Sequence, residues 1–235
     1  MKILYKFQNH NQMLQRESLH DPNIILCNYE DEDNMHIHYD YPPYDAEIEF
    51  LKSTGSQIIR TGYIPVGTDN DIYITFIPEG YPSGAGNYSA MAFAAYTAEA
   101  NRTYRMIRNN GNNSSLLLYN GSKAGGGGAS RSITLGTKYT VSMTHDFKYT
   151  WNNVNGTLNS TSGSENTVQL SLMCGIVKLF SFKWVKNGVT IFDFIPVRVG
   201  TTGYLFDKIS GKLYGNSGTG AFTLGSDVTT HHSNH

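Results

Sequence analysis

The sequence predicts a mainly-β chain: an antiparallel β-sandwich preceded by a small β-α-β-β unit. Three observations predict it. From Glu47 to Gly225 the apolar residues come in short runs that often alternate, separated by Gly, Asn and Ser clusters. No segment after residue 45 sustains a long 3.6-residue apolar period. Tyr (16) and Gly (24) are abundant while charged residues are only 16% of the chain, a balance that suits sheets and loops better than helices.

The leading segment, 1–43, reads differently. Ile3, Tyr5 and Phe7 alternate as a short strand, and 11–19 (NQMLQRESL) suits a short helix capped by Asn9 or Asn11. Asp21-Pro22 ends that helix, NIILCNY makes a second strand, the acidic run 30–34 turns, and MHIHYD makes a third. Pro42-Pro43 forms a stiff spacer. About 40 residues make a marginal core, so this unit is expected to need a partner surface.

Residues 44–225 form the sandwich. Strands are expected at 47–52, 56–61, 71–78, 88–96, 103–108, 115–119, 130–135, 138–145, 147–151, 167–173, 178–186, 189–195, 203–206 and 221–224. Asn120-Gly121, Asn155-Gly156 and Asn187-Gly188 read as tight hairpin turns, because both residues tolerate positive φ. In KLFSFKWVK, strict alternation places Leu179, Ser181, Lys183 and Val185 on one face and Phe180, Phe182, Trp184 and Lys186 on the other. The tail 226–235 carries no apolar period and is expected to be mobile.

Composition excludes several function classes. A formal net charge of -1 gives no electrostatic ground for nucleic-acid binding. No run of about 18 apolar residues is present to insert in a membrane as a helix. The N-terminus MKILYKFQNHNQMLQ lacks the apolar stretch of a secretory signal, so synthesis and release in a cytoplasm are expected. Cys27 and Cys174 lie in apolar runs, as buried free thiols do.

Candidate sites each have a plainer reading. Glu47 and Glu49 lie side by side on one strand face, as glycosidase carboxylates do, but Leu51 and Ser53 hold the next like-facing positions, and a solvated strand face is the simpler account. His36 and His38 share one side of a strand; three copies at a trimer axis would offer six nitrogens to a transition metal such as iron or nickel, and otherwise they are two exposed polar residues. Asp69, Asn70 and Asp71 could supply hard oxygen ligands to Ca²⁺, or simply build a turn. No resident cofactor is required by either alternative. The glycine run 125–128 lacks the Lys-Ser/Thr ending and following helix of a phosphate loop. His145-Asp146 reads as a structural hairpin pair.

The segment QIIRTGYIP (57–65) and the long run 175–225 carry a resemblance. They contain Ile59 to Tyr63, Gly175 to Phe182, Asn187-Gly188, Asp193 to Pro196, Gly203 to Asp207 and Gly218 to Phe222. They resemble the concanavalin A/laminin-G-like jelly-roll domain of tailed gut phages and prophages, of the crAss-like type, with Ile59 to Tyr63 as its early strand motif and the run 175–225 as its closing half. Arg60 stands where Asp is commoner. The leading unit resembles the short first segment of such virion proteins. The resemblance implies a structural, non-enzymatic virion protein made in the host bacterial cytoplasm, a head or tail fibre or a decoration protein. Its first unit would bind other virion proteins or form a homotrimer, and its jelly roll would project and meet host-surface glycans. Candidate sugar-stacking rings are Tyr81, Tyr88, Tyr96, Tyr104 and Tyr119. The rival readings are a bacterial lectin-like carbohydrate-binding protein and a jelly-roll glycoside hydrolase. Three motif residues have a clear physical role. Asp193 and Asp207 can fix loops by accepting backbone N–H bonds, and Pro196 is expected to end its strand at an edge.

Overall fold

A computed structural model describes residues 3–4, 25–28, 36–37, 42–80, 90–95, 103–109, 114–123, 128–158, 165 and 167–230. The chain divides into two compact units, Met1–Pro42 and Pro43–His235, and the prolines mark the joint.

In the first unit, β1 (Ile3–Leu4) pairs in parallel with β2 (Ile25–Asn28), which pairs antiparallel with β3 (His36–Ile37). A parallel pair cannot be closed by a tight turn, and positions 5–24 separate the two strands in the sequence. The helix expected at 11–19 lies outside the described residues.

The second unit is a sandwich of two antiparallel sheets. Its strands are β4 (Ala46–Ile48), β5 (Leu51–Lys52), β6 (Ile59–Arg60), β7 (Asn70–Gly80), β8 (Ala90–Ala95), β9 (Thr103–Asn109), β10 (Ser115–Lys123), β11 (Ala129–Ser132), β12 (Tyr139–Met143), β13 (Lys148–Trp151), β14 (Val154–Thr157), β15 (Ser171–Leu172), β16 (Ile176–Lys186), β17 (Val189–Val199), β18 (Thr202–Asp207), β19 (Lys212–Tyr214), β20 (Thr223–Leu224) and β21 (Asp227–Thr230). The smaller sheet runs β11-β10-β9-β8-β15-β6. The larger runs β14-β13-β12-β7-β16-β17-β18-β19; β5 pairs with β16 and carries β20 on its other edge, and β4 pairs with β17 and carries β21 on its other edge. Among the described residues the molecule has no helix.

The core lies between the sheets. Phe93 of the smaller sheet meets Phe182 and Trp184 of the larger edge-on, with ring centroids 5.4 and 6.4 Å apart. Ile72, Ile74, Phe76, Leu116, Leu118, Leu172, Leu179, Phe182, Trp184 and Phe194 are all buried in one cluster. Fully burying each side chain of this kind contributes about 1.5–3 kcal/mol.

Strict alternation fails in β16. The register against β7 shifts between Leu179 and Ser181. The bulge puts one extra residue in the strand, so Val177 and Leu179 point inward before it and Phe182 and Trp184 after it. Phe180 is left on the outer face, where its ring lies 5.7 Å from that of Phe50 and 3.7 Å from the Lys138 ammonium. Of the three described Asn-Gly pairs, only Asn187-Gly188 is a hairpin turn, with φ of 50° and 75°. Asn120-Gly121 lies inside β10 at a register shift against β9, and Asn155-Gly156 lies inside β14. The β13–β14 turn is instead made by Asn152 and Asn153, which take the positive φ themselves (44° and 67°).

Pro196 does not end its strand. β17 pairs with β16 as far as Phe194↔Phe182 and with β4 from Val197↔Glu47. Pro196 sits at this changeover, where a residue without an N–H is tolerated. The described part of the tail also differs from expectation, and 231–235 lie outside the described residues. Asp227–Thr230 forms β21 on the outer edge of β4, and the Arg198 guanidinium donates two bonds to the Asp227 carboxylate, at 2.7 and 2.6 Å.

Candidate functional site

The residues singled out in the sequence are not brought together. Tyr81, Tyr88, Tyr96 and His38 lie outside the described residues. His36 opens β3 opposite Asn28. Asn70 and Asp71 begin β7 and therefore point to opposite faces. Asn70 is buried: its Oδ1 accepts from Trp184 Nε1 at 3.0 Å and its Nδ2 donates to the Gly67 carbonyl at 2.8 Å. The Asp71 carboxylate accepts from the His145 backbone N–H at 2.8 Å. Among the described residues no three His, Cys, Asp or Glu side chains are grouped as metal ligands. Glu47 accepts from the Tyr44 hydroxyl at 3.2 Å, and Glu49 is exposed.

Tyr104 and Tyr119 correct the expected set of sugar-stacking rings, because both are buried. They meet edge-on at 5.4 Å, and the Arg108 guanidinium lies over both, 5.7 and 5.0 Å from the ring centres. Arg108 also donates to the Tyr119 hydroxyl at 2.9 Å. Their faces are occupied by protein, so no sugar can stack there.

Beneath the loop 64–69 lies a second polar group. Asn120 Nδ2 donates to the Asn70 carbonyl at 2.7 Å. Arg105, 1% exposed, donates to the carbonyls of Pro65, at 3.2 Å, and Gly67, and its guanidinium lies 3.5 Å from Glu165. Burial lowers the Arg105 pKa, and the Glu165 carboxylate acts in the opposite direction. This network pins the loop to the sandwich end.

The larger sheet carries a groove of about 470 Å³ on β12, β13 and β14, lined by Ser142, Thr144, His145, Asp146, Lys148, Tyr149, Thr150, Asn155 and Gly156. Alternation builds it. Val141, Met143 and Trp151 point inward and are buried, so Ser142, Thr144 and Thr150 point outward. Thr150 Oγ1 donates to Asn155 Oδ1 at 3.0 Å. His145 Nδ1 lies 2.9 Å from Asp71 Oδ1, and this bond raises the imidazole pKa above 6.5. Asp146 is lowered to about 2 by hydrogen bonds from Lys148 and Thr144. Each charge on this rim is therefore matched by an opposite one, and hydroxyl and amide groups are left to make directional contacts. Such a surface can recognise a polyhydroxylated ligand. The partner of His145 is Asp71, 74 positions away, not the adjacent Asp146; only the β7–β12 pairing could reveal it.

No protein-family model matches this chain, and no curated protein matches it.

Proposed function

We propose that this chain is a non-enzymatic structural protein of a tailed-phage virion, with its β-sandwich displayed to contact host-surface glycans. The observation that carries the reading is the groove on β12–β14: a charge-balanced rim of hydroxyl, amide and imidazole groups on a rigid antiparallel scaffold. A recognition surface needs fixed donors and acceptors more than it needs a reactive group. The jelly-roll motifs of the run 175–225 and the separate leading unit support the virion setting, one part attaching and the other presenting. If the leading unit trimerises, three weak sugar contacts combine through their high effective concentration.

Mass spectrometry of purified particles tests the setting, and light scattering of the purified chain tests the trimer. A chain found in particles at many copies, and trimeric in solution, is the expected result. A monomer missing from particles would favour the bacterial lectin-like reading. Glycan cleavage abolished by Glu47→Gln or Glu49→Gln would replace both with a hydrolase.

A further inference from the structure

The outer face of the larger sheet carries one straight cross-strand row. In register it runs Asn155 (β14), Thr150 (β13), Ser142 (β12), Tyr73 (β7), Lys183 (β16) and Asp193 (β17). Its two ends are internally satisfied: Thr150 donates to Asn155, and Asp193 pairs with Lys208 at 3.0 Å. In the flanking positions of β7, Asp71 is bonded to His145, and Thr75 lies against Thr140, with hydroxyl oxygens 3.3 Å apart. The three central members differ. Among the described residues, the Ser142 hydroxyl, the Tyr73 phenol and the Lys183 ammonium have no hydrogen-bond or ion-pair partner. Tyr73 is 40% exposed and its ring meets no other aromatic or cationic group of the described residues.

We propose that Ser142, Tyr73 and Lys183 form a subsite for a carboxylated pyranose, one hexuronate unit of an acidic surface polysaccharide. This deepens the reading of the sandwich as a glycan-contacting surface and rests on it. Neighbouring strands are about 4.8 Å apart, so the three groups span roughly 10 Å, the reach of one sugar ring with its substituents. The C–H face of the ring stacks on Tyr73. The carboxylate meets Lys183, the cation of this row, which has no acidic partner among the described residues, and a sugar hydroxyl meets Ser142. Ser142 also lines the groove, so the next sugar of the chain continues over Thr150 and Asn155.

The test is calorimetric titration of the full chain with tetragalacturonate, a neutral maltotetraose and poly-glutamate. Tetragalacturonate is expected to bind at least about tenfold more tightly than maltotetraose. Tyr73→Ala should weaken it by about tenfold or more, and Tyr73→Phe by no more than about threefold. Lys183→Gln should remove the preference for the acidic sugar, and Lys183→Arg should keep it. These positions are outside the core, and an unchanged circular dichroism spectrum will verify folding. Equal affinity for both sugars, tighter binding of poly-glutamate, or variants that bind like the parent would overturn the subsite. Absence from particles with hexuronate binding intact would sink the virion setting and leave the subsite standing; presence in particles with no such binding would do the reverse.

Discussion

Asp207 is the residue whose chemistry is most completely enclosed. It is fully buried, and its carboxylate accepts from the backbone N–H groups of Asp193, Ile209 and Ser210 and from the Ser210 hydroxyl, at 2.9, 3.3, 3.2 and 2.6 Å. It holds the β18–β19 turn and ties it to β17. Asp207→Ala leaves these donors without an acceptor and should cost about 2–3 kcal/mol, read as a lower urea midpoint at unchanged m. Asp207→Asn keeps one acceptor and should cost less. Two further residues contribute to the pH response, with opposite signs. Lys178 and Lys52, each 3.0 Å from Glu79, hold its pKa below 4.5. That stabilisation is complete above the ordinary carboxylate pKa and is lost as pH falls through the depressed folded value. His145 has a raised pKa, so its contribution is complete below 6.5 and is lost as pH rises through the folded value. A Tm-against-pH profile should therefore decline on both sides. Glu79→Gln should flatten the acid limb and His145→Asn the limb above pH 6.5; an unchanged profile in either variant would refute its assignment.

At the scale of elements, what the sequence disclosed was whatever depends on neighbours along the chain. Alternation placed β7, β9, β12 and β17 within a few residues of their ends, and Asn187-Gly188 marked its hairpin because both residues must take positive φ. The motif aspartate Asp207 was legible as a loop-fixing acceptor for the same local reason. What was hidden depends on partners far away in sequence. The β16 bulge exists because β16 must serve β7 along its length, with β5 on its other side at Lys178 and Leu179, then β17. Nothing in KLFSFKWVK announces it. Tyr73, Ser142 and Lys183 come from three separate strands, and only the register makes them a row. β21 was missed because SDVTT has no apolar pattern; its order comes from the ladder with β4 and the Arg198–Asp227 pair. Truncation after Ser226 should thus lower Tm by a few degrees and expose the β4 edge, measured as faster amide exchange in 46–48. A truncated chain that melts and exchanges like the parent would mean that β21 adds nothing to the sheet.

On the scale of the whole molecule, the described core belongs to the second unit alone. Every member of its main buried cluster falls between Ile48 and Phe222, inside Pro43–His235. The cluster draws on strands far apart in sequence: Ile48 and Leu51 near one end, Phe222 near the other, with Phe93 closing onto Phe182 between them. Such long-range pairing makes folding cooperative, since no hairpin buries its apolar face until both sheets are in place. It also makes folding slow, on the order of milliseconds to seconds. A fragment comprising 43–235 should therefore fold without the leading unit. Trp151 and Trp184 both lie in its core, so tryptophan fluorescence and near-ultraviolet circular dichroism report its packing directly. The expected result is one sharp urea transition with the near-ultraviolet spectrum of the full chain, because the groove, the Tyr73 row and the aromatic core all lie within the fragment. A fragment with strand signal in the far ultraviolet but no fixed near-ultraviolet bands would mean that residues 1–42 complete the sandwich, and display on an attached foot would no longer describe the division of labour between the two units.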